Sequence, residues 1–171
     1  YGYFDFYDFI KKNIIKIIIK FFYKKADIVV ANSKRVANEI KNFSKVKTTY
    51  IYPGSFYKII HKKKKIKKPI KIISIGRLGE EKGFDVLINS VKNISQDKYK
   101  LSIIGSGIQK NNIFSLIKKN NLEKSVKLLG RKNNVMKYIK KSDLLINPSY
   151  FEGFPNVVIE ALSCGTPVIC S

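Results

Sequence analysis

From Lys71 onward, the chain alternates between two patterns of apolar and polar positions. Short runs rich in isoleucine, valine and leucine end at glycine or asparagine. They are followed by stretches in which apolar residues recur every three or four positions. The first pattern predicts strands buried on both faces, the second amphipathic helices. Ile72, Ile73 and Ile75 form a strand within Ile70 to Leu78, and Phe84 to Ile94 has helical spacing. Lys100 to Ile104 is the next strand and Gln109 to Asn121 the next helix. Val126 to Leu129 is a strand, Asn133 to Lys141 a helix with Val135, Met136 and Ile139 on its apolar side, and Asp143 to Asn147 a strand. A short helix begins near Pro155 or Asn156, and Pro167 to Ser171 starts another strand. Such alternation with short turns predicts an α/β fold, a parallel sheet with helices on both faces.

The earlier part of the chain has a different pattern. Ile10 to Lys25 is a basic amphipathic helix with Lys12, Lys16 and Lys20 at four-residue spacing. Lysines interrupt its apolar run too often for a bilayer span. It either packs on a sheet with its lysines outward, the favoured reading, or lies on an anionic membrane surface. Ala26 to Ala31 is a short buried strand, Asn32 or Ser33 can cap a helix through about Asn42, and Val46 to Tyr52 is a further strand before Pro53-Gly54. Tyr1 to Phe9, aromatic and acidic, is expected to be a loop or the edge of another domain. His61 to Lys65 and Lys67-Lys68 form a charge run between Pro53 and Pro69 that repels itself and packs poorly. The expected division is therefore the tail of one domain at 1–52, a basic linker at 53–69 and a second domain at 70–171, incomplete at its C-terminus. Beginning at Tyr1 and ending inside a strand, the chain reads as a fragment of a longer protein.

Charge narrows the function classes. The net charge is +22 over 171 residues, but arginine occurs only at Arg35, Arg77 and Arg131. Reading of bases and bidentate gripping of phosphate rely on arginine, so specific nucleic-acid binding is not expected. The charge favours anionic partners: membrane head groups, sugar nucleotides and lipid-phosphate acceptors. Cys164 and Cys170 offer neither metal spacing nor a disulfide framework and read as buried, reduced thiols of a cytosolic protein. No signal peptide is visible. His61 lies inside the charge run, which argues against a catalytic or metal role.

Ligands of parallel α/β sheets bind at the carboxyl ends of strands. Three turns at such ends, 76–83, 105–107 and 149–156, carry ligand-type residues and converge on one edge of the sheet. In the first, Gly76 lets backbone approach a phosphate, while Arg77 and Lys82 supply a fork and a point charge for a diphosphate. The plain alternative pairs both cations with Glu80, Glu81 or Asp85. Gly105-Ser106-Gly107 is too short for a dinucleotide fingerprint and is at least as much a tight turn as a ligand contact. In the third, Pro155 suits the first turn of a helix, whose free N–H groups and positive dipole end face the loop. That is an anion site, most simply for phosphate. Glu152 at the loop mouth and Glu160 just over a turn into the helix accept hydrogen bonds only and suit hydroxyl groups. An anion site flanked by two such carboxylates describes a nucleotide sugar. A surface loop with two solvated glutamates is the plain alternative.

Glu152, seven residues, Glu160, then Ala161, Gly165, Thr166, Pro167 and Val168 closely resemble the signature of retaining GT-B glycosyltransferases of the family 4 type. Gly76-Arg77-Leu78 with Lys82-Gly83 resembles the Gly-Arg-Leu…Lys-Gly motif of the same enzymes. The resemblance covers about Ala26 to Ser171. It implies the Rossmann-like C-terminal half of a GT-B fold, preceded by the tail of its N-terminal Rossmann-like domain. It also implies that Glu152 contacts donor-sugar hydroxyls, that Glu160 contacts the ribose, and that Arg77 and Lys82 hold the donor phosphates. The backbone from Gly153 through Phe154 and Pro155 to Asn156 faces sugar and phosphates, Gly76, Gly105 and Gly107 lie beside the nucleotide, and Arg131 occupies the base-proximal loop. Pro53 departs from the family, which often carries Asn there.

The implied reaction moves a hexose or N-acetylhexosamine from a nucleoside diphosphate sugar to an acceptor hydroxyl with retention. It needs no cofactor beyond that donor substrate, because cations and a helix terminus can stabilise the leaving diphosphate in place of a metal. The acceptor is a glycan or lipid-linked glycan of the cell surface. The implied setting is cytoplasmic, with peripheral contact at the inner face of the membrane. A carboxylate pair could also serve a hydrolase, but the phosphate turns then lack a purpose. The rivals are a non-transferring GT-B module, epimerase-like or binding only, and a basic membrane- or nucleic-acid-binding protein. The 171-residue chain by itself is expected to bind donor poorly and to transfer nothing.

Overall fold

The computed structural model of the chain describes residues 3–54 and 66–171, with side chains described from residue 13 onward. It divides into two compact units, residues 1–54 and 55–171. Most of the run read as a linker, including His61, lies outside the described residues.

The first unit contains α1 (Tyr3–Tyr23), β1 (Val29–Ala31), α2 (Lys34–Ser44) and β2 (Thr48–Tyr50). The two strands pair in parallel, Val29 opposite Thr48, with α2 as the crossover. Ser33, not Asn32, caps α2: its Oγ accepts the Val36 N–H at 3.3 Å. Helix α1 corrects the expectation for the first nine residues, since it reaches back to Tyr3 and includes most of the aromatic, acidic stretch. No Gly or Pro interrupts the chain between Tyr3 and Ile10, and Phe6, Ile10 and Ile14 continue one another at four-residue spacing. The middling helix propensity of aromatic residues had hidden this continuity. Among the described residues, no helix is long and apolar enough to cross a membrane.

The second unit is a five-stranded parallel sheet in the order β5-β4-β3-β6-β7. Its elements are β3 (Ile70–Ile75), a 3₁₀ turn (Glu80–Lys82), α3 (Phe84–Val91), β4 (Tyr99–Ile104), α4 (Lys110–Lys119), β5 (Val126–Leu128), α5 (Val135–Lys141), β6 (Leu144–Asn147), α6 (Asn156–Ser163) and β7 (Val168–Cys170). Neighbouring residues of each strand point to opposite faces. Ile72, Leu101 and Ile103 join Phe84, Leu87, Ile88 and Val91 of α3 and Ile113 and Ile117 of α4 in one core. Ile73, Ile104 and Leu145 join Ile139 of α5 and Ala161 of α6 in the other. Cys164 is buried as expected, but Cys170 is exposed. It lies on β7, which pairs with β6.

The topology creates the crevice. The chain runs outward from β3 to β4 and β5, then returns to β6 on the other side of β3 and continues to β7. Right-handed crossovers place helices of the two directions on opposite faces. Strand β3 pairs with β4 from Ile70–Tyr99 through Ile75–Ile104. It pairs with β6 only at Ile72–Leu144 and Ile73–Leu145. The carboxyl ends of β3 and β6 therefore separate at the point where the strand order reverses, the usual ligand crevice of open α/β sheets.

Gly83 closes the turn after β3 at φ +60°, and a Cβ there would collide with the Pro148 carbonyl oxygen beyond β6. Gly83→Ala is expected to lower stability by roughly 2 kcal/mol or more, from left-handed backbone strain plus the clash. Urea unfolding of the full-length protein checks this.

Candidate functional site

The turns after β3, β4 and β6 meet at this crevice and are bound to one another through their backbones. The Gly76 N–H donates to the Ile104 carbonyl at 3.0 Å, Leu78 N–H to Ser106 at 2.9 Å, and Gln109 N–H to Leu78 at 3.0 Å. The Gly105 N–H reaches the Gly130 carbonyl at 3.1 Å, and the Tyr150 N–H the Glu81 carbonyl at 3.0 Å. Gly105 packs so closely on the Gly76 carbonyl that a side chain there would collide, and Gly107 packs likewise on the Leu78 backbone. The N–H groups of Gly76 and Gly105 are thus taken up inside the fold. These glycines draw the turns together.

Across the crevice, Lys82 Nζ donates to Glu152 Oε1 at 2.6 Å. Both side chains are largely buried, at 20% and 23% exposure. Lys82 comes from the 3₁₀ turn after β3 and Glu152 from the loop after β6, so the pair spans the reversal of strand order. Ser149 Oγ lies 2.9 Å from the same Oε1. It also lies 3.1 Å from Asn147 Oδ1. The plain alternative to a phosphate role paired Lys82 with Glu80, Glu81 or Asp85, and nothing in the local pattern pointed to Glu152. Asn147 and Ser149 stood within motif-bearing sequence, but only their burial at the end of β6 singles them out.

Arg77 behaves differently. It donates from Nε and Nη2 to Glu81 Oε1 at 3.1 and 2.6 Å. Its side chain is 74% exposed. This hydrogen bond is the main cause holding the Glu81 carboxyl below its ordinary value, helped by the Glu81 backbone N–H. An exposed pair of this kind contributes little to stability, so Arg77 is easily recruited by another anion.

Helix α6 begins at Asn156, with Pro155 in the capping position and no side chain capping its first turn. The Asn156 N–H turns to the Phe154 carbonyl and the Val158 N–H to that of Pro155. Gly153, Phe154 and Pro155 are partly buried, and Asn156 is exposed. Glu160 lies partly buried on α6, and burial pushes its carboxyl above the ordinary value. Arg131 is exposed just beyond Gly130, after β5. A cleft of about 520 Å³ opens on the α3–α4 side, lined by Phe84, Gln109, Ile113 and Tyr150 among others, but not by Lys82, Glu152 or Glu160.

Residues 56–171 match the family described as glycosyl transferases group 1. The chain belongs to this family. It is 37% identical over 162 residues to an N-acetylgalactosamine-N,N'-diacetylbacillosaminyl-diphospho-undecaprenol 4-alpha-N-acetylgalactosaminyltransferase of Campylobacter jejuni, a match that takes in 91% of this chain and 44% of that protein. It is 38% identical over 172 residues to an uncharacterized glycosyltransferase of Methanocaldococcus jannaschii, covering 91% of this chain and 42% of the relative. The chain thus spans less than half the length of these curated relatives. Among solved structures, a mutant of Staphylococcus aureus TarM in complex with Fondaparinux, alpha-GlcNAc-glycerol and UDP superposes with a TM-score of 0.73 at 26% identity, over 86% of this chain and 30% of that one. Sucrose-phosphate synthase from Thermosynechococcus elongatus superposes with a TM-score of 0.77 at 24% identity, over 91% and 43% of the two chains, and so shares the fold. The fold of this group 1 chain is the α/β one expected of a GT-B C-terminal half, with the tail of an N-terminal half before it.

The raised carboxyl of Glu160 has a stability consequence. The folded state holds this proton more tightly than the unfolded state, so stability falls as pH rises from the ordinary carboxylate value through the raised one. Glu160→Gln removes that loss. The variant is expected to melt slightly above the parent near neutral pH, by under about 1 kcal/mol because solvent still screens the group, with the gap narrowing as pH falls through the carboxylate range. Thermal melts across that range check it.

Proposed function

We propose that the full-length protein is a retaining glycosyltransferase. It moves a hexose or N-acetylhexosamine from a nucleoside diphosphate sugar to an acceptor hydroxyl, in cell-surface or lipid-linked glycan synthesis. The observation that carries this reading is the Lys82–Glu152 pair across the switch point. A cation and a hydroxyl-accepting carboxylate stand side by side where the sheet opens. The donor diphosphate takes Lys82 from Glu152, and the carboxylate is left to the sugar hydroxyls. Charge then builds on the diphosphate as the glycosidic bond breaks. Lys82, Arg77 drawn from its exposed pair, and the start of α6 stabilise it, which lowers the barrier because the interaction strengthens toward the transition state. Glu160 takes the ribose, Gly153 to Asn156 line the sugar and phosphates, and Arg131 lies toward the base. The names of the Campylobacter relative and the TarM complex support an N-acetylhexosamine donor, with UDP as carrier and a lipid-linked or surface glycan as acceptor.

The same proposal divides the chain into an acceptor-side tail at 1–52, a linker at 53–69 and a donor domain at 70–171. It places the enzyme in the cytoplasm with peripheral contact at an anionic membrane. That contact is assigned to the basic helix α1, along which Lys16 and Lys20 are exposed, with Lys24 exposed just after it.

The donor reading is tested by thermal stabilisation of the full-length protein with UDP-, GDP- and ADP-sugars. One nucleotide class is expected to stabilise it, by roughly 2.7 kcal/mol at a hundredfold excess over Kd, and Arg77→Ala and Glu160→Ala are expected to abolish the effect. A folded protein that none of them stabilises overturns the reading. For the membrane, co-sedimentation with phosphatidylserine vesicles but not phosphatidylcholine vesicles is expected, lost at high salt and on Lys16→Glu with Lys20→Glu. Equal sedimentation with both lipids, or with neither, refutes it.

A further inference from the structure

We infer that Ser149 is a positioning residue for Glu152, and that Asn147 holds Ser149 in that role. This deepens the donor-site reading above and rests on it. Glu152 sits on a loop, yet its carboxylate has a defined place. Both of its hydrogen bonds, from Lys82 Nζ at 2.6 Å and Ser149 Oγ at 2.9 Å, arrive at Oε1. Lys82 is the partner that an anionic donor removes. Ser149 is the partner that stays.

Ser149 is built to stay. It is 6% exposed and Asn147 is 7% exposed. A serine hydroxyl carries one proton, and a carboxylate can only accept, so that proton goes to Glu152. The Asn147 side chain, 3.1 Å from Ser149 Oγ, must then be the donor. Its amide becomes one by a half-turn that exchanges Oδ1 and Nδ2, two ends told apart only by such networks. The resulting relay runs from Asn147 Nδ2–H to Ser149 Oγ, and from Ser149 Oγ–H to Glu152 Oε1. The backbone of the relay is anchored as well. Ser171 Oγ donates to the Ser149 carbonyl at 3.0 Å. The Ser171 N–H donates to the Asn147 carbonyl at 3.2 Å.

With Oε1 retained by Ser149, Oε2 is the oxygen left for a donor-sugar hydroxyl. Loss of Ser149 therefore loosens the sugar end of the site and leaves the nucleoside diphosphate end intact. A hydrogen bond to a charged group corresponds to a factor of about ten or more in binding.

The test uses the full-length protein and whichever of UDP-N-acetylglucosamine, UDP-N-acetylgalactosamine, UDP-glucose, GDP-mannose or ADP-glucose stabilises the wild type. Its affinity is compared with that for the matching free nucleoside diphosphate. Ser149→Ala is expected to weaken sugar-nucleotide binding roughly tenfold while changing nucleoside diphosphate binding less than about twofold. Ser149→Thr, which keeps the hydroxyl, is expected to restore most of the loss, and Asn147→Ala to reproduce part of it. The inference is overturned if Ser149→Ala binds the sugar nucleotide like the wild type, or if it loses both ligands equally. A folded wild type that binds none of these donors refutes the donor reading itself, and the relay's purpose with it.

Discussion

The reversal of strand order between β3 and β6 is the constraint on which the site depends. A parallel strand can be added to either side of β3, but right-handed crossovers tie each direction to one face of the sheet. Going outward through β4 and β5 puts α3 and α4 on one face, and returning through β6 and β7 puts α5 and α6 on the other. No crossover connection passes over the gap between β3 and β6 at their carboxyl ends. The short pairing of these strands lets the ends separate. The Lys82–Glu152 pair bridges the two sides of that gap.

The crevice would collapse or drift without the backbone ties around it. Gly76, Leu78 and Gln109 lock the turns after β3 and β4 together, Gly105 ties the turn after β4 to that after β5, and Tyr150 ties the loop after β6 to the 3₁₀ turn. Each tie satisfies a backbone group that the end of a strand would otherwise leave exposed. Small residues at Gly83 and Gly105 allow an approach that side chains would block. The turns are thus held to one another by backbone, and the pairs that line the crevice are side-chain charges.

That charge comes in two grades. Arg77 pairs with Glu81 on the surface, where water screens the attraction and separation costs little. Lys82 and Glu152 are partly desolvated, so leaving either without a partner is costly. In the proposed donor complex a diphosphate compensates Lys82, while a hydroxyl and Ser149 compensate Glu152. A net charge of +22 favours association with anions of that kind. That proposed complex changes the partners of the two groups, not the number of satisfied charges.

Much of this was legible in the residues. The order of strands and helices after Lys71 follows from apolar periodicity, because burial on both faces demands apolar strands and one-sided burial demands helical stripes. The ligand-type character of the turns at 76–83 and 149–156 also follows, since Gly, Pro and charged residues cluster where strands stop. The reach of α1 back to Tyr3 and the exposure of Cys170 did not follow, because aromatic residues have only middling helix propensity and the cover over a strand face is decided by tertiary packing. The sequence by itself determined the elements, the edge on which their turns gather and the residue types available there. Only the tertiary structure decided that Lys82 faces Glu152 while Arg77 faces Glu81, and that Ser149 and Asn147 stand behind the carboxylate. Local spacing sets which neighbours a side chain can reach along its own element, whereas partners seventy residues apart meet only when the sheet has chosen which strands lie side by side.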